Sequence, residues 1–278
     1  MTAAREYKFT RRDFDFLRKL SNARTGIVVS DDKFDMFYSR LARRVRALGL
    51  TSFADYCNYL EDPDNDGEMV ELVNALTTNL TSFFRENHHF EFLANKALLE
   101  AVKRNQKSRS LRVWSAGCST GEEPYSIAMV LDERQSLYRG WDVQLLASDI
   151  DSNVLNQAQR GVYPLQRVEG LAKSRLKSFF QKGKGRQEGK ARVRDSLRQR
   201  IAFTQINLME ALKVETQDLI FCRNVIIYFD KETKKRLVER FADVLADGGY
   251  LFVGHSESLY QVTDRFQLVG NTVYKKVR

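Results

Sequence analysis

Long apolar runs are missing from this 278-residue sequence. No window approaches the roughly 18 consecutive apolar residues of a membrane-spanning helix. Cysteine is scarce: Cys57, Cys118 and Cys222 are scattered, odd in number and form no C-x-x-C pair. That excludes a disulfide framework and a cysteine-rich zinc site, and fits a reducing compartment. With 3 Pro and 15 Gly the chain is neither collagen-like nor of low complexity. Of the three histidines, His88 and His89 are adjacent, point to different helix faces and make a poor metal pair. His255, in GHSES, reads as a core or rim histidine. No H-E-x-x-H motif occurs, nor a G-x-S-x-G with a credible triad, so no metal is expected. The N-terminal MTAAREYKFTRRDFDF lacks an apolar signal core, so a cytosolic protein is expected.

What is present is a globular composition, 43% hydrophobic and 29% charged, long enough for one large domain or two ordinary ones. The formal charge of +9 is concentrated. Residues 166–200 carry twelve Lys/Arg against three acids, which accounts for the whole excess. A second basic zone, residues 1–50, has twelve bases and six acids and is offset by an acidic stretch from Asp55 to Glu71. Such segments attract anionic partners, either nucleic acid or an acidic protein surface, or are simply solvated faces.

Residues 1–77 read as helical. From Lys33 to Gly49, Phe34, Phe37, Tyr38, Leu41, Val45 and Leu48 recur at helical spacing, with Arg40, Arg43 and Arg44 on another face. EDPDNDG (61–67) is a turn cluster, and a helix is predicted from Glu68. From Leu111 the grammar changes. LRVWSA, VQLLASD (143–149), DLIFCR (218–223) and YLFVGHSES read as strands, and GEEPYSIAMVLDERQ, IDSNVLNQAQRG and KETKKRLVERFADVLADGG as helices. The last of these is predicted to stop at Gly248 and Gly249. This alternation predicts a mostly parallel α/β sheet, and FQLVGNTVYKKV adds an antiparallel pair at its C-terminal edge. The basic segment from about Pro164 to Arg200 interrupts the alternation as an inserted subdomain.

The strongest local signal is VWSAGCSTGEEPYS (113–126), a strand running through a glycine turn into a helix. Its G-x-x-x-G spacing is not that of a dinucleotide site, and no P-loop lysine follows. Glu122 and Glu123 at the turn would repel phosphate and suit a cation. Asp149 ends the next strand, where a carboxylate accepts from ribose hydroxyls or caps a helix. Together these features fit a positively charged nucleoside without phosphate, and S-adenosylmethionine is the common cofactor of that description. Asn207 and Leu208 follow IAFTQI, where they could offer an amide and an apolar wall to adenine. Arg223 and Asn224 follow DLIFC, and Tyr228 comes four residues later. In LTTNLTSFFRENHHF (76–90), Asn79, Thr81 and Arg85 are polar positions beside Phe83 and Phe84; if Asn79 or Thr81 starts a helix, Arg85 lies one turn in.

These segments, in this order, resemble the bacterial chemotaxis receptor protein-glutamate O-methyltransferases. The resemblance covers essentially the whole chain. It implies a class I S-adenosylmethionine-dependent, Rossmann-like methyltransferase domain (78–278) carrying a small inserted β-subdomain, preceded by an all-helical receptor-docking domain (1–77). It also implies cofactor contacts at Asn79, Thr81, Arg85, Glu123, Asp149, Asn207, Leu208, Arg223 and Asn224, with Arg85 and Tyr228 assisting methyl transfer.

The implied reaction moves the sulfonium methyl to a receptor glutamate, giving a γ-methyl ester and S-adenosylhomocysteine. An ionised glutamate needs no general base. The resemblance further implies two docking surfaces: Arg40, Arg43 and Arg44 on the acidic receptor helices, and QKGKGRQEGKARVR (181–194) on a pentapeptide at the receptor C-terminus. Recruitment to membrane-bound receptor arrays is implied, without membrane insertion and without nucleic acid, and a monomer is expected. A nucleic-acid methyltransferase is the enzymatic rival. Against it, Pro63, Pro124 and Pro164 are the only prolines, so no Asn/Asp-Pro-Pro-aromatic motif exists, and Cys222 is not preceded by proline. A non-catalytic module that keeps the fold is the third alternative.

Overall fold

The structure, a computed structural model, describes residues 5–278. Four helices come first: α1 (Arg11–Thr25), α2 (Phe34–Ala47), α3 (Phe53–Glu61) and α4 (Asp66–Leu76). Thr10 opens α1 with a capping box, donating its own N–H to Asp13 Oδ2 at 2.8 Å while its hydroxyl accepts the Asp13 N–H at 3.3 Å. Gly26 closes α1 at φ +72°, the left-handed conformation in which a side chain would be strained. On α2, Phe37, Leu41 and Val45 recur every fourth residue and are fully buried, packed with Phe14, Leu17, Phe53, Tyr56 and Leu72. Each such side chain stabilises the unit by about 1.5–3 kcal/mol.

The chain then crosses to α5 (His88–Phe92), which passes through a π-helical turn at Leu93–Ala97 into α6 (Leu98–Arg104). No helix starts at Asn79 or Thr81. Residues 77–87 are loop and turn, with Phe84 and Glu86 at φ +52° and +55°. Alternation follows: β1 (Ser110–Ala116), α7 (Glu122–Glu133), β2 (Asp142–Asp149) and α8 (Ser152–Arg160). Next comes the insertion, with β3 (Val162–Pro164), α9 (Leu165–Val168), α10 (Lys173–Phe179), β4 (Phe180–Lys182), β5 (Lys190–Val193) and α11 (Asp195–Arg198). The chain ends with β6 (Ile201–Gln205), β7 (Gln217–Cys222), α12 (Lys231–Val244), β8 (Leu245–Val253), β9 (Phe266–Gly270) and β10 (Val273–Lys276).

The main sheet has the order β6-β2-β1-β7-β8-β10-β9. The five strands from β6 to β8 pair in parallel, and β10 runs antiparallel to both of its neighbours. The C-terminal pair is therefore antiparallel as anticipated, but its second strand lies inside and β9 forms the edge. Both faces of the sheet are buried. Val113, Leu219 and Phe221 face one core, while Trp114, Ile220 and Cys222 face the other, against α12. This double burial gives the central strands continuous apolar runs.

One helix ends elsewhere than the sequence reading has it. Helix α12 stops at Val244, not at the glycines, because Leu245 already pairs with Gln217 in the sheet and its carbonyl accepts from Lys276 Nζ at 2.8 Å. The insertion begins at Val162 and forms its own antiparallel sheet in the order β3-β5-β4, leaving β4 as an edge strand. No described helix is long and apolar enough to cross a membrane.

Candidate functional site

Strand order reverses between β1, which continues towards β2 and β6, and β7, which continues towards β8. In open α/β sheets ligands bind beyond the carboxyl ends of the strands at such a point. A cleft of about 1030 Å³, counting its open mouth, lies there. It is lined by the loops after β1, β2, β6 and β7, by the 76–85 linker, and by Thr25 and Ile27 of the helical unit. Asn79, Thr81, Arg85, Glu123, Asp149, Asn207, Leu208, Arg223, Asn224 and Tyr228 all line it. Residues spread over 150 positions of sequence are thus brought around one space.

The turn after β1 is built by its glycines. Gly117 lies at φ +89°, and a Cβ there would sit 2.5 Å from Val225 Cγ2. Gly121 lies at φ +97°, where a Cβ would meet Ala158 and the Tyr163 hydroxyl at 2.9 Å. The N–H groups of Gly117 and Cys118 both donate to the Ser148 carbonyl at 2.8 Å, tying this turn to the end of β2. Asp149 is held by the Ser119 N–H at 2.8 Å and the Asp151 N–H at 3.0 Å, one on each oxygen. Burial pushes its pKa up despite these bonds. The Cys118 thiol beneath the turn is also pushed up by burial, which keeps it a neutral packing group.

The two acids of the turn have separate fates. Glu122 is fully buried and paired with Arg167 of the insertion, away from the cleft. Glu123 faces the cleft but accepts from Ser115 Oγ at 2.7 Å and from Arg223 Nη1 at 3.0 Å. Burial pushes its carboxyl upward, against the pull of the Arg223 charge. Of the two acids expected to suit a cationic ligand, Glu123 lines the cleft and Glu122 does not. One acid fastens the insertion, and the other is already neutralised across the cleft floor.

Arg223 continues from Glu123 to Glu86, 3.2 Å away, and donates to the Arg85 carbonyl. Glu86 in turn accepts from the His255 N–H at 3.1 Å and bonds its imidazole at 3.0 Å. Burial works against the Glu86 carboxylate, but the His255 bonds and the Arg223 charge hold it down to about 2. Burial and the same guanidinium push His89 down to about 3 and keep it neutral. Glu86, His88 and His89 bring ligand-type atoms within 4.8 Å of one another. The bonds of Glu86 to Arg223 and His255 already occupy that carboxylate.

Several predicted contacts carry structural duties. Asn79 donates to Asp151 Oδ2 at 2.8 Å, and its carbonyl accepts from Ser119. Asn207 donates to the Arg24 carbonyl at 2.8 Å and accepts the Met209 N–H, so its amide joins the helical unit to the sheet while the residue lines the cleft. Leu208 and Ile150 remain as apolar walls. Arg85 reaches back to the Leu80 carbonyl at 2.8 Å. The Tyr228 carbonyl accepts the Val28 N–H at 2.8 Å, next to an Ile27–Phe229 bridge. Arg40 donates to the carbonyls of Leu76 and Thr77 at 2.6 and 2.8 Å, and Arg44 forks onto Glu68. Of that basic trio, Arg43 is the exposed one.

Sequence reasoning missed Glu257. It is 2% exposed, and its carboxylate accepts N–H groups from Asn224 at 2.9 Å, Ile227 at 3.1 Å and Gly254. It thereby holds Asn224 at φ +59° and sets the turn that carries Tyr228. The only signal was an acid two residues beyond a histidine after an apolar strand. Glu86 was missed for a similar reason, since its partners lie more than a hundred residues away.

The donor set suits a nucleoside. A carboxylate stands at the end of β2, apolar walls flank it, and the Arg85 guanidinium on the opposite loop can meet an anionic group. The comparisons with known proteins agree with this chemistry. Residues 12–77 match the family model described as the CheR methyltransferase all-alpha domain, and residues 79–275 match the CheR methyltransferase SAM binding domain. Chemotaxis protein methyltransferase 2 of Pseudomonas aeruginosa is 48% identical over 271 residues, covering 97% of this chain and 94% of that protein. The chemotaxis protein methyltransferase of Escherichia coli is 45% identical over 264 residues, covering 94% and 89%. With a switch-point cleft, a helical unit closing it, and both family models matched in order, this chain belongs to the CheR family of S-adenosylmethionine-dependent methyltransferases.

Proposed function

We propose that this enzyme methylates glutamate side chains of chemoreceptors, producing γ-methyl esters and S-adenosylhomocysteine, and so serves receptor adaptation in chemotaxis. The observation that carries the reading is the convergence of all ten candidate residues on one inter-domain cleft, together with relatives named chemotaxis protein methyltransferase along nearly the full chain.

When bound, S-adenosylmethionine supplies an electrophilic sulfonium methyl. In this reading Asp149 accepts from ribose hydroxyls, Ile150 and Leu208 sandwich the base, and Arg85 meets a carboxylate, that of the cofactor or of the acceptor. Asn79, Thr81, Glu123, Arg223 and Asn224 shape the floor, Glu123 and Arg223 by holding one another. The acceptor glutamate is ionised at neutral pH, so no proton has to be removed. This suits a cleft whose acids, Glu123 and Asp149, are buried and already hydrogen-bonded. Catalysis then rests on alignment and on exclusion of water; well-oriented reactants can supply roughly 7–11 kcal/mol. Tyr228, half-buried at the rim, contributes a hydroxyl beside the reacting groups. Too firm a grip on the carboxylate would stabilise the ground state instead.

Receptor helices dock through the exposed Arg43 side of α2, while Arg40 and Arg44 hold that helix to α4 and to the linker. The exposed edge strand β4, followed by Lys184 and Arg186, takes a receptor C-terminal peptide as an added strand and recruits the enzyme to receptor arrays. Incubation with labelled methyl donor and receptor membranes is expected to give base-labile label in the receptor. Label in nucleic acid, or cofactor binding without any transfer, would overturn the assignment. A receptor-tail peptide titrated by calorimetry is expected to release heat, and a flat titration would remove the tether.

A further inference from the structure

Nine large apolar side chains stand exposed among the described residues, and three of them flank the two proposed catalytic groups. Val28 is 51% exposed, Leu80 76% and Ile227 48%. Each is fixed through its backbone to the site. Val28 N–H donates to the Tyr228 carbonyl at 2.8 Å. The Leu80 carbonyl accepts from Arg85 Nη1 at 2.8 Å, and Ile227 N–H donates to Glu257 Oε1 at 3.1 Å. They come from three separate segments: the stretch after α1, the inter-domain linker and the loop after β7.

Single exposed apolar residues need no explanation. Here Leu80 lines the cleft, Val28 and Ile227 adjoin the lining residues Ile27 and Tyr228, and the charges of the cleft say what covers them. Among the charged residues lining the cleft, Glu123, Asp149 and Arg223 are 8%, 9% and 6% exposed, and Arg223 is paired with Glu123 and Glu86, whereas the Arg85 side chain is 30% exposed and cationic. The mouth therefore offers one positive group set among apolar ones. Its complement is a single carboxylate surrounded by apolar or small side chains.

We propose that Val28, Leu80 and Ile227 form an apolar collar that seats the acceptor helix around its target glutamate; this rests on the receptor-glutamate reading above. On a helix, the neighbours of a glutamate on its own face lie three and four residues away. Those neighbours are the groups that meet the collar. Their contact closes the mouth and strips water from the carboxylate that attacks the methyl, replacing hydration by fixed protein groups. The exposed Arg43 surface then steers acidic helices in, while the collar selects which glutamate can enter.

The test uses full-length enzyme, a purified receptor cytoplasmic fragment and labelled methyl donor. Val28→Ser, Ile227→Ser and the double variant change exposed side chains that do not line the cleft. The double variant is expected to raise KM for the receptor fragment about tenfold, while calorimetric affinity for S-adenosylhomocysteine stays within twofold. Val28→Leu with Ile227→Leu should keep the wild-type KM, which ties the effect to apolar surface, while the retained S-adenosylhomocysteine affinity of the double serine variant excludes a loss of folding. Receptor kinetics within twofold of wild type in the double serine variant would overturn the collar. So would a parallel loss of S-adenosylhomocysteine affinity. A wild-type enzyme that leaves no base-labile label in the receptor would overturn the underlying receptor reading instead.

Discussion

Arg223 and Glu123, a hundred residues apart in sequence, meet at 3.0 Å in the floor of the cleft, and both are buried. The same guanidinium reaches Glu86 at 3.2 Å. One cation thus serves two carboxylates, one in the first turn of α7 and one in the 77–87 loop. Removing it leaves both without their cation. Arg223→Met is expected to destabilise the protein by about 3–5 kcal/mol in urea denaturation. Adding Glu123→Gln should return part of that loss, because one uncompensated charge disappears. Strictly additive losses would show that the pair is not coupled.

Glu86 gives a pH signature. Its ordinary pKa is 4.5, and in the folded protein it is held at about 2 by His255 and Arg223 against the effect of burial. A carboxyl with a depressed folded pKa contributes stability above its unfolded value and loses it as pH falls towards the folded one. The stability gap between wild type and Glu86→Gln should therefore be flat at neutral pH and shrink as pH drops from 4.5 towards 2. Denaturation at a series of pH values reads it, and a gap that widens on acidification would reverse the assigned sign.

Arg40 and Arg43, three residues apart on one helix, are expected to fail differently. Arg40→Ala frees the carbonyls of Leu76 and Thr77 and loosens the linker that lines the cleft. Its main effect should be a several-fold weaker affinity for S-adenosylhomocysteine. Arg43→Glu should leave that affinity alone, raise the receptor KM and reduce its dependence on salt. Matching phenotypes would contradict the separate duties assigned here.

Glu257 is expected to matter more than its distance from the reacting groups suggests. Glu257→Ala leaves the N–H groups of Asn224, Ile227 and Gly254 without their acceptor. Leaving a buried donor unpaired costs about 1–3 kcal/mol. Melting temperature should fall and cofactor affinity with it, with Glu257→Gln intermediate because it keeps one acceptor oxygen. Wild-type affinity in the alanine variant would show that the loop holds its shape unaided.

Tyr228→Phe removes one hydroxyl from the rim. A typical hydrogen bond contributes about 0.5–1.5 kcal/mol, so kcat should fall up to about tenfold with cofactor binding unchanged. Arg85→Ala should weaken both cofactor affinity and kcat, since its guanidinium also braces the Leu80 carbonyl. Wild-type turnover and binding in both variants would exclude this pair from methyl transfer.

Local sequence carried much of this structure. The helix predicted over IDSNVLNQAQRG forms, with Asp151 and not Asp149 as its cap, accepting the N–H groups of Asn153 and Val154. The apolar runs at β1 and β7 announced strands buried on both faces. The glycine turn was legible because Gly117 and Gly121 occupy backbone conformations that other residues avoid. The loop 77–87 was not legible as a loop. Its shape depends on Glu86 finding His255 and Arg223, and Arg85 finding Leu80, and no local pattern encodes such meetings.

By itself the sequence determined the alternation of helix and strand around the sheet, which faces are apolar, and which residue types stand at strand ends, because periodicity and backbone freedom act over a few residues. The tertiary structure alone decided which charges are free and which are taken. Arg40, Arg44, Glu122 and Glu123 look like open functional groups in one dimension, yet each is satisfied by a partner supplied through folding. An ion pair needs closeness in space, and closeness in space between distant residues is what packing the helical unit, the sheet and the insertion together creates.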